Sequence, residues 1–202
     1  MQYYHDLVTK KSWEELTGLS KQVKFVLIGG WATYLYSGAL KSKDIDIVVD
    51  YDQLPVIEKL YPLFKNERLH KYEAVKEEVQ IDIYLPHFSQ IGIPAEDILK
   101  QSKSLEGFNV IDINLLFVSK IYTLSQRGRT PKGRKDFLDI ISLFISRKCD
   151  LKLIRGFIDN YHLSNARDLL VELLKEATQV LELNLNPHQF SKIKKELVSQ
   201  IK

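Results

Sequence analysis

In 202 residues the chain has one cysteine, Cys149, and one methionine, its first residue. A lone thiol cannot close an internal disulfide, so a fold without cross-links, in the reducing cytoplasm, is expected. No apolar run approaches the ~20 residues that span a bilayer, which argues against a membrane partner. The opening stretch Met1 to Asp6 lacks the basic-then-apolar layout of a secretory signal. There is no Gly-x-x-x-x-Gly-Lys-Ser/Thr run, so a Walker-type NTPase is excluded, and no motif supports a Ser-His-Asp or Cys-His hydrolase. The histidines His5, His70, His87, His162 and His188 have no ligand spacing, and Cys149 has no companion for a zinc site, so all five read as surface histidines.

What remains is the composition of a globular protein, 45% apolar and 27% charged, which is enough for a sizeable core. The net charge of +3 conceals an asymmetry. Residues 1–112 carry 13 Lys/Arg against 17 Asp/Glu, and residues 113–202 carry 16 against 9. The surplus is densest from Lys120 to Lys135, where Lys120, Arg127, Arg129, Lys132, Arg134 and Lys135 occur with no acidic residue between them. Such a stretch suits a polyanion, nucleic acid or a triphosphate, and equally suits a solvated helix end. The composition shift near residue 112 is the boundary the sequence offers, between a catalytic domain over 1–112 and a helical region over 113–202.

Periodicity gives a coarse order of elements. An amphipathic helix is expected over 3–17, a buried strand over 23–28 ending in Gly29-Gly30, and a helix over 31–40. Strands follow at 45–49, 69–74, 79–85 and 108–111, with a helix over 55–64 between the first two. From 113 onward the pattern is helical, with helices near 113–126, 134–147, 151–161, 164–182 and 187–201. Ser164 and Asn186 read as N-caps, and Pro187 sits at the first-turn position that tolerates a missing N–H. The fold class is therefore α/β (α+β), a mixed sheet flanked by helices and followed by an all-helical region.

The chemistry lies in three carboxylates. In Lys43-Asp44-Ile45-Asp46-Ile47, strand alternation turns Asp44 and Asp46 to one side while Ile45 and Ile47 enter the core. Asp82 interrupts the apolar run Val79 to Leu85 in the same manner. Carboxylates this crowded repel one another unless a cation neutralises them, and hard oxygen donors point to magnesium. If the Asp82 strand lies beside the Asp44–Asp46 strand, the trio can hold two Mg2+ ions, with Mn2+ as a substitute. Asp82 then bridges to the ion at the attacking hydroxyl or acts as its general base. Gly29 and Gly30, at a strand-to-helix turn, let backbone N–H groups approach a phosphate closely.

The combination of strand, Gly-Gly, helix, Asp-x-Asp strand and lone strand Asp resembles the DNA polymerase beta-like nucleotidyltransferase superfamily. The segment Asn114 to Lys120, followed by Arg127-Gly128-Arg129 and Arg134-Lys135-Asp136-Phe137-Leu138-Asp139, looks like the AbiEii-type abortive-infection toxins and related small nucleotidyltransferases. The resemblance covers residues 20–145. It implies a metal site at Asp44, Asp46 and Asp82, and an NTP held by Gly29, Gly30, Lys43 and Lys120 with help from Asp136 and Asp139. It also implies transfer of an NMP to an RNA (tRNA-like) or protein acceptor, commonly within a toxin–antitoxin pair. The family's arginine four residues before the first metal aspartate is replaced here by Leu40, with Lys41 and Lys43 nearby. As a lysine, Lys120 would act as a point charge for the triphosphate, while Asp136 and Asp139 share a helical face and could orient it or a basic neighbour. Asp136 could instead only cap a helix starting near Arg134.

Two rival readings come from other classes. One is a catalytically idle nucleotide-binding or regulatory module. The other is a helical RNase or its partner, centred on Arg155 and His162. The stripe Ile193, Leu197 and Ile201 suits core packing or an oligomer face better than a membrane surface.

Overall fold

The computed structural model describes residues 2–201, with side chains from Leu7 onward, so the side chain of His5 lies outside the described residues. The chain forms two compact units. One comprises Met1–Gln90 with Pro94–Asp112, the other Ile91–Ile93 with Ile113–Lys202.

In the first unit α1 (Gln2–Leu19) leads to β1 (Val26–Ile28), α2 (Gly29–Ser37), β2 (Ile45–Val48), a 3-10 turn at Tyr51–Gln53 and α3 (Leu54–Glu58). Then come β3 (Leu63–Asn66), β4 (Lys71–Lys76), β5 (Val79–Tyr84), α4 (Ala95–Lys100), β6 (Ser102–Leu105) and β7 (Phe108–Ile111). The strands build one sheet in the order β3-β4-β5-β2-β1-β7-β6. It is mixed, with β2–β5 and β1–β7 parallel and the other neighbours antiparallel.

Alternation decides the two faces. Ile45, Ile47, Ala74, Ile81 and Ile83 are wholly buried on one of them. Asp46, Gln80, Asp82 and Tyr84 point the other way and stay partly exposed. Aromatic packing holds α1 and α2 together: Trp31 Nε1 donates to Ser12 Oγ at 2.9 Å, and the Trp13 ring lies 4.9 Å from Trp31 and 5.4 Å from Phe108.

The second unit contains α5 (Ile113–Arg127), α6 (Pro131–Ile145), α7 (Leu151–Asn160), α8 (Ser164–Glu176), a 3-10 turn at Leu181–Leu183 and α9 (Pro187–Ile201). Asn186 caps α9 reciprocally: its Oδ1 accepts from the Gln189 N–H at 2.8 Å, and Gln189 Oε1 accepts from the Asn186 N–H at 3.0 Å. Of the stripe Ile193, Leu197 and Ile201 on α9, Leu197 and Ile201 are buried with Phe190 and Ile193 is half-buried, so the stripe packs largely within its own unit. No helix among the described residues is long and apolar enough to cross a membrane.

Several boundaries differ from the sequence reading. The helix expected over 55–64 ends at Glu58, and 63–66 is strand β3, because the free edge of β4 offers it a hydrogen-bonded partner. Periodicity also passed over α4 and β6, both too short to show a period. The helix expected from 134 starts at Pro131, since the Thr130 hydroxyl accepts from the Gly133 N–H at 3.1 Å. Ser164 is the first helical residue of α8 and makes no cap bond. That helix stops at Glu176, where Ala177 takes an extended conformation.

Ile47 lies between β1 and β5 with no exposed surface. Ile47→Ala is therefore expected to lower unfolding free energy by about 2–5 kcal/mol, read from urea denaturation.

Candidate active site

β1 runs straight into α2, so Gly29 follows the last strand residue, Ile28, and is the first residue of a helix. Its φ is +66°, in the region glycine tolerates and other residues avoid. A Cβ at Gly29 would lie 2.1 Å from Asp46 Oδ2. The glycine therefore allows the Asp46 carboxylate to sit against the start of α2, where partial positive charge favours an anion.

The register places the other members. Ile28 pairs with Asp46, Asp46 with Asp82, Asp82 with Glu73, and Glu73 with Phe64, making one line of cross-strand neighbours from β1 to β3. In-register neighbours share a face, so Asp46, Asp82 and Glu73 stand side by side at strand spacing, roughly 5 Å apart. Asp44 is exposed and precedes β2, two residues before Asp46, and half-buried Lys43 is next to it. As placed, Asp44, Asp46 and Asp82 do not close on a single point, since no group of three or more His, Cys, Asp or Glu among the described residues is gathered to hold an ion.

No sequence motif marks Lys71. Its side chain is 8% exposed, and its Nζ lies 2.5 Å from Asp82 Oδ2 and 2.9 Å from Glu73 Oε1. Gln80 Nε2 donates to Asp82 Oδ1 at 2.8 Å, and Asn66 Nδ2 donates to Glu73 at 3.2 Å. Burial pushes the Lys71 ammonium toward losing its proton, but the hydrogen bonds to Asp82 and Glu73 outweigh this and its pKa stays above the ordinary lysine value. The Lys71 hydrogen bond in turn holds Glu73 below the usual carboxylate range. Lys71 and Glu73 carry no motif and meet Asp82 only through the β4–β5 register. Asp44, exposed, and Asp46, partly exposed, are hard oxygen donors of the kind a divalent cation takes, whereas Asp82 already accepts from an ammonium.

In architecture the chain is similar to several solved structures. A candidate nucleotidyltransferase from Helicobacter pylori matches 96% of this chain and 95% of its own, at TM-score 0.53 and 15% identity. JHP933 from Helicobacter pylori matches 96% and 93%, at TM-score 0.51 and 15% identity. The antibiotic-resistance factor ANT(2'')-Ia matches 82% and 95%, at TM-score 0.57 and 11% identity. The fold is that of the nucleotidyltransferases. No protein-family model and no curated protein matches the sequence.

Outside that sheet, the helical unit gathers the later motif residues into one buried network. Lys120 Nζ lies 2.7 Å from Asp139 Oδ2 and 3.2 Å from Asp136 Oδ1, and Arg127 Nη1 lies 2.8 Å from Asp136 Oδ2. Asp139 is fully buried, and its approach to Lys120 is ionic, without the direction of a hydrogen bond. Asp136 lies well inside α6, which Thr130 caps, so it is not the helix cap that its position near Arg134 allowed. The close crossing of α5 and α6 makes the network possible: a Cβ at Gly133 would lie 1.9 Å from the Gly128 carbonyl oxygen.

The basic stretch is matched within the same unit. Arg129 meets Glu172 and Glu176 at 2.6 and 2.7 Å, and Arg134 meets Glu182 at 2.9 Å. The polyanion surface suggested by the run Lys120 to Lys135 is thus mostly taken up within the unit, by Asp136 and Asp139 just beyond the run and by Glu172, Glu176 and Glu182 farther along the chain. Arg155 donates to the Gln200 carbonyl, while His162 lies past the end of α7. Among the described histidines, His87 Nδ1 is 2.5 Å from Glu96 Oε1.

Two expectations follow. Gly29→Ala should cost at least about 2 kcal/mol, combining left-handed backbone strain with displacement of Asp46. Gly18→Ala, with open space around it, should change stability by at most about 1 kcal/mol. Lys120→Met should cost about 3–5 kcal/mol by leaving buried Asp139 without its counter-ion while Asp136 keeps Arg127, and Lys120→Met/Asp139→Leu should recover most of it. Chemical denaturation of the four variants checks both.

Proposed function

We propose that this protein is a magnesium-dependent nucleotidyltransferase that moves an NMP from an NTP to a hydroxyl of an RNA or protein acceptor. The observation that carries the reading is the in-register pairing of Asp46 with Asp82 on parallel strands, with Gly29 at the start of α2 against the Asp46 carboxylate. The nucleotidyltransferase fold supports it independently.

On this reading Asp44 and Asp46 hold Mg2+, which when bound neutralises the triphosphate and eases departure of pyrophosphate. The turn at Gly29 and Gly30 presents the helix start to phosphate, and Lys43 adds charge beside it. The acceptor hydroxyl hydrogen-bonds to Asp82, and its oxygen attacks the α-phosphorus in line. The bond from the α-phosphorus to the oxygen bridging to the β-phosphate breaks, pyrophosphate leaves, and the hydroxyl proton passes to Asp82. Lys120, Asp136 and Asp139 act as positioning residues, fixing α5 against α6. A place in a toxin–antitoxin pair belongs to the same proposal and rests on the motif resemblance.

One observation favours a second reading, the catalytically idle nucleotide-binding module: both Asp82 oxygens already accept bonds from Lys71 and Gln80. Turnover separates the two. Incubating the protein and a cell lysate with Mg2+ and each α-labelled NTP should transfer label to RNA or protein. Asp44→Ala/Asp46→Ala should reduce transfer about a thousandfold, the equivalent of losing several kcal/mol of charge stabilisation. Equal labelling by both proteins, or no labelling from any NTP, would end the enzymatic reading.

A further inference from the structure

We propose that Lys71 is an internal cation standing where a second divalent ion would otherwise be needed, so that the site takes one divalent ion, at Asp44 and Asp46, and Asp82 is reserved for the acceptor hydroxyl. This deepens the nucleotidyltransferase reading and rests on it.

The carboxylates on this face of the sheet outnumber what one divalent ion can balance. Asp46, Asp82 and Glu73 are consecutive neighbours on β2, β5 and β4, and Asp44 lies two residues from Asp46. Such a row needs compensating charge in the folded chain itself, before any substrate arrives. Lys71 provides it on the β4–β5 side. It belongs to the outer strand of the three, and its ammonium reaches Asp82 and Glu73, the two carboxylates on the β4–β5 side.

The ion pair is set up by more than proximity. Asp82 is held from two directions, Oδ2 by Lys71 and Oδ1 by Gln80, and Asn66 fixes Glu73 in turn. A lysine side chain this buried loses hydration and rotamer freedom, so a passive sheet position would be filled more readily by an apolar residue. A divalent ion ligated by Asp82 would have to share that carboxylate with an ammonium already 2.5 Å away, and like charges that close repel strongly in a partly buried site. Asp44 and Asp46 lie beyond that grip, on the far side of Asp82 in the strand order. Lys71 is therefore a positioning residue: with Gln80 it fixes the direction of the Asp82 oxygens and leaves their remaining lone pairs for a hydroxyl.

The test counts ions and needs no turnover. Mn2+ alone is titrated into the full chain, and the free ion is followed by electron paramagnetic resonance. The unaltered protein should bind one Mn2+ per chain. Asp44→Asn should weaken that site by at least about tenfold, whereas Asp82→Asn should move it by less than about threefold. Lys71→Met should gain a second Mn2+ site; if that variant does not fold, the unaltered chain and Asp82→Asn still decide. Two ions on the unaltered chain, an Asp82→Asn loss equal to that of Asp44→Asn, or a folded Lys71→Met that still binds one ion would overturn the inference while leaving the nucleotidyltransferase reading intact. No Mn2+ binding by the unaltered chain would overturn the inference, and label transfer from the NTPs would still decide the nucleotidyltransferase reading.

Discussion

Carboxylates crowded onto one face of a sheet form the constraint on which the rest of this molecule depends. Parallel pairing of β2 with β5 brings Asp46 opposite Asp82, and antiparallel pairing of β4 with β5 adds Glu73 to the same row. Such a row is unfavourable unless positive charge enters it. The chain supplies some of that charge itself, through Lys71 and through the start of α2 against Asp46. On the proposed reading, a divalent ion and a polyphosphate would supply the remainder. Glycine at position 29 belongs to the same solution, since any side chain there would occupy the space of the Asp46 carboxylate.

The helical unit meets a similar difficulty by another route. Asp136 and Asp139 are buried on α6, and Lys120 and Arg127 from α5 are the cations that make the burial tolerable. Motif residues in the two units thus differ in kind. Those on the sheet, Asp46 and Asp82, stay partly exposed. Lys120, Asp136 and Asp139 are enclosed by their own helices, and their chemistry is chiefly that of a buried ion network, where removing one partner costs far more than the pair contributes.

Much of the fold was legible in the chain. The alternation Ile45-Asp46-Ile47 and Ile81-Asp82-Ile83 marks two strands with one apolar and one acidic face, and the strand-to-helix turn at Gly29-Gly30 is equally plain. Elements that a neighbour stabilises were not legible. Leu63–Asn66 has spacing that also suits a helix, and it becomes a strand because the β4 edge pairs with it. α4 and β6 are too short for a period to emerge. The basic run from Lys120 to Lys135 looked available to a polyanion because its partners, Asp136, Asp139, Glu172, Glu176 and Glu182, follow it in the sequence and meet it only through folding back of the later helices.

By itself, the sequence determined which side chains are acidic, which strands are half-buried, and where glycine must stand, because these follow from periods of two and from backbone geometry within a few residues. Tertiary structure decided register and partnership: that Asp46 and Asp82 are neighbours, that Lys71 meets Asp82 and Glu73, and that Lys120 lies buried between two aspartates. The reason is physical. Ion pairs and strand pairing join residues by distance in space, which the order of the chain does not encode locally.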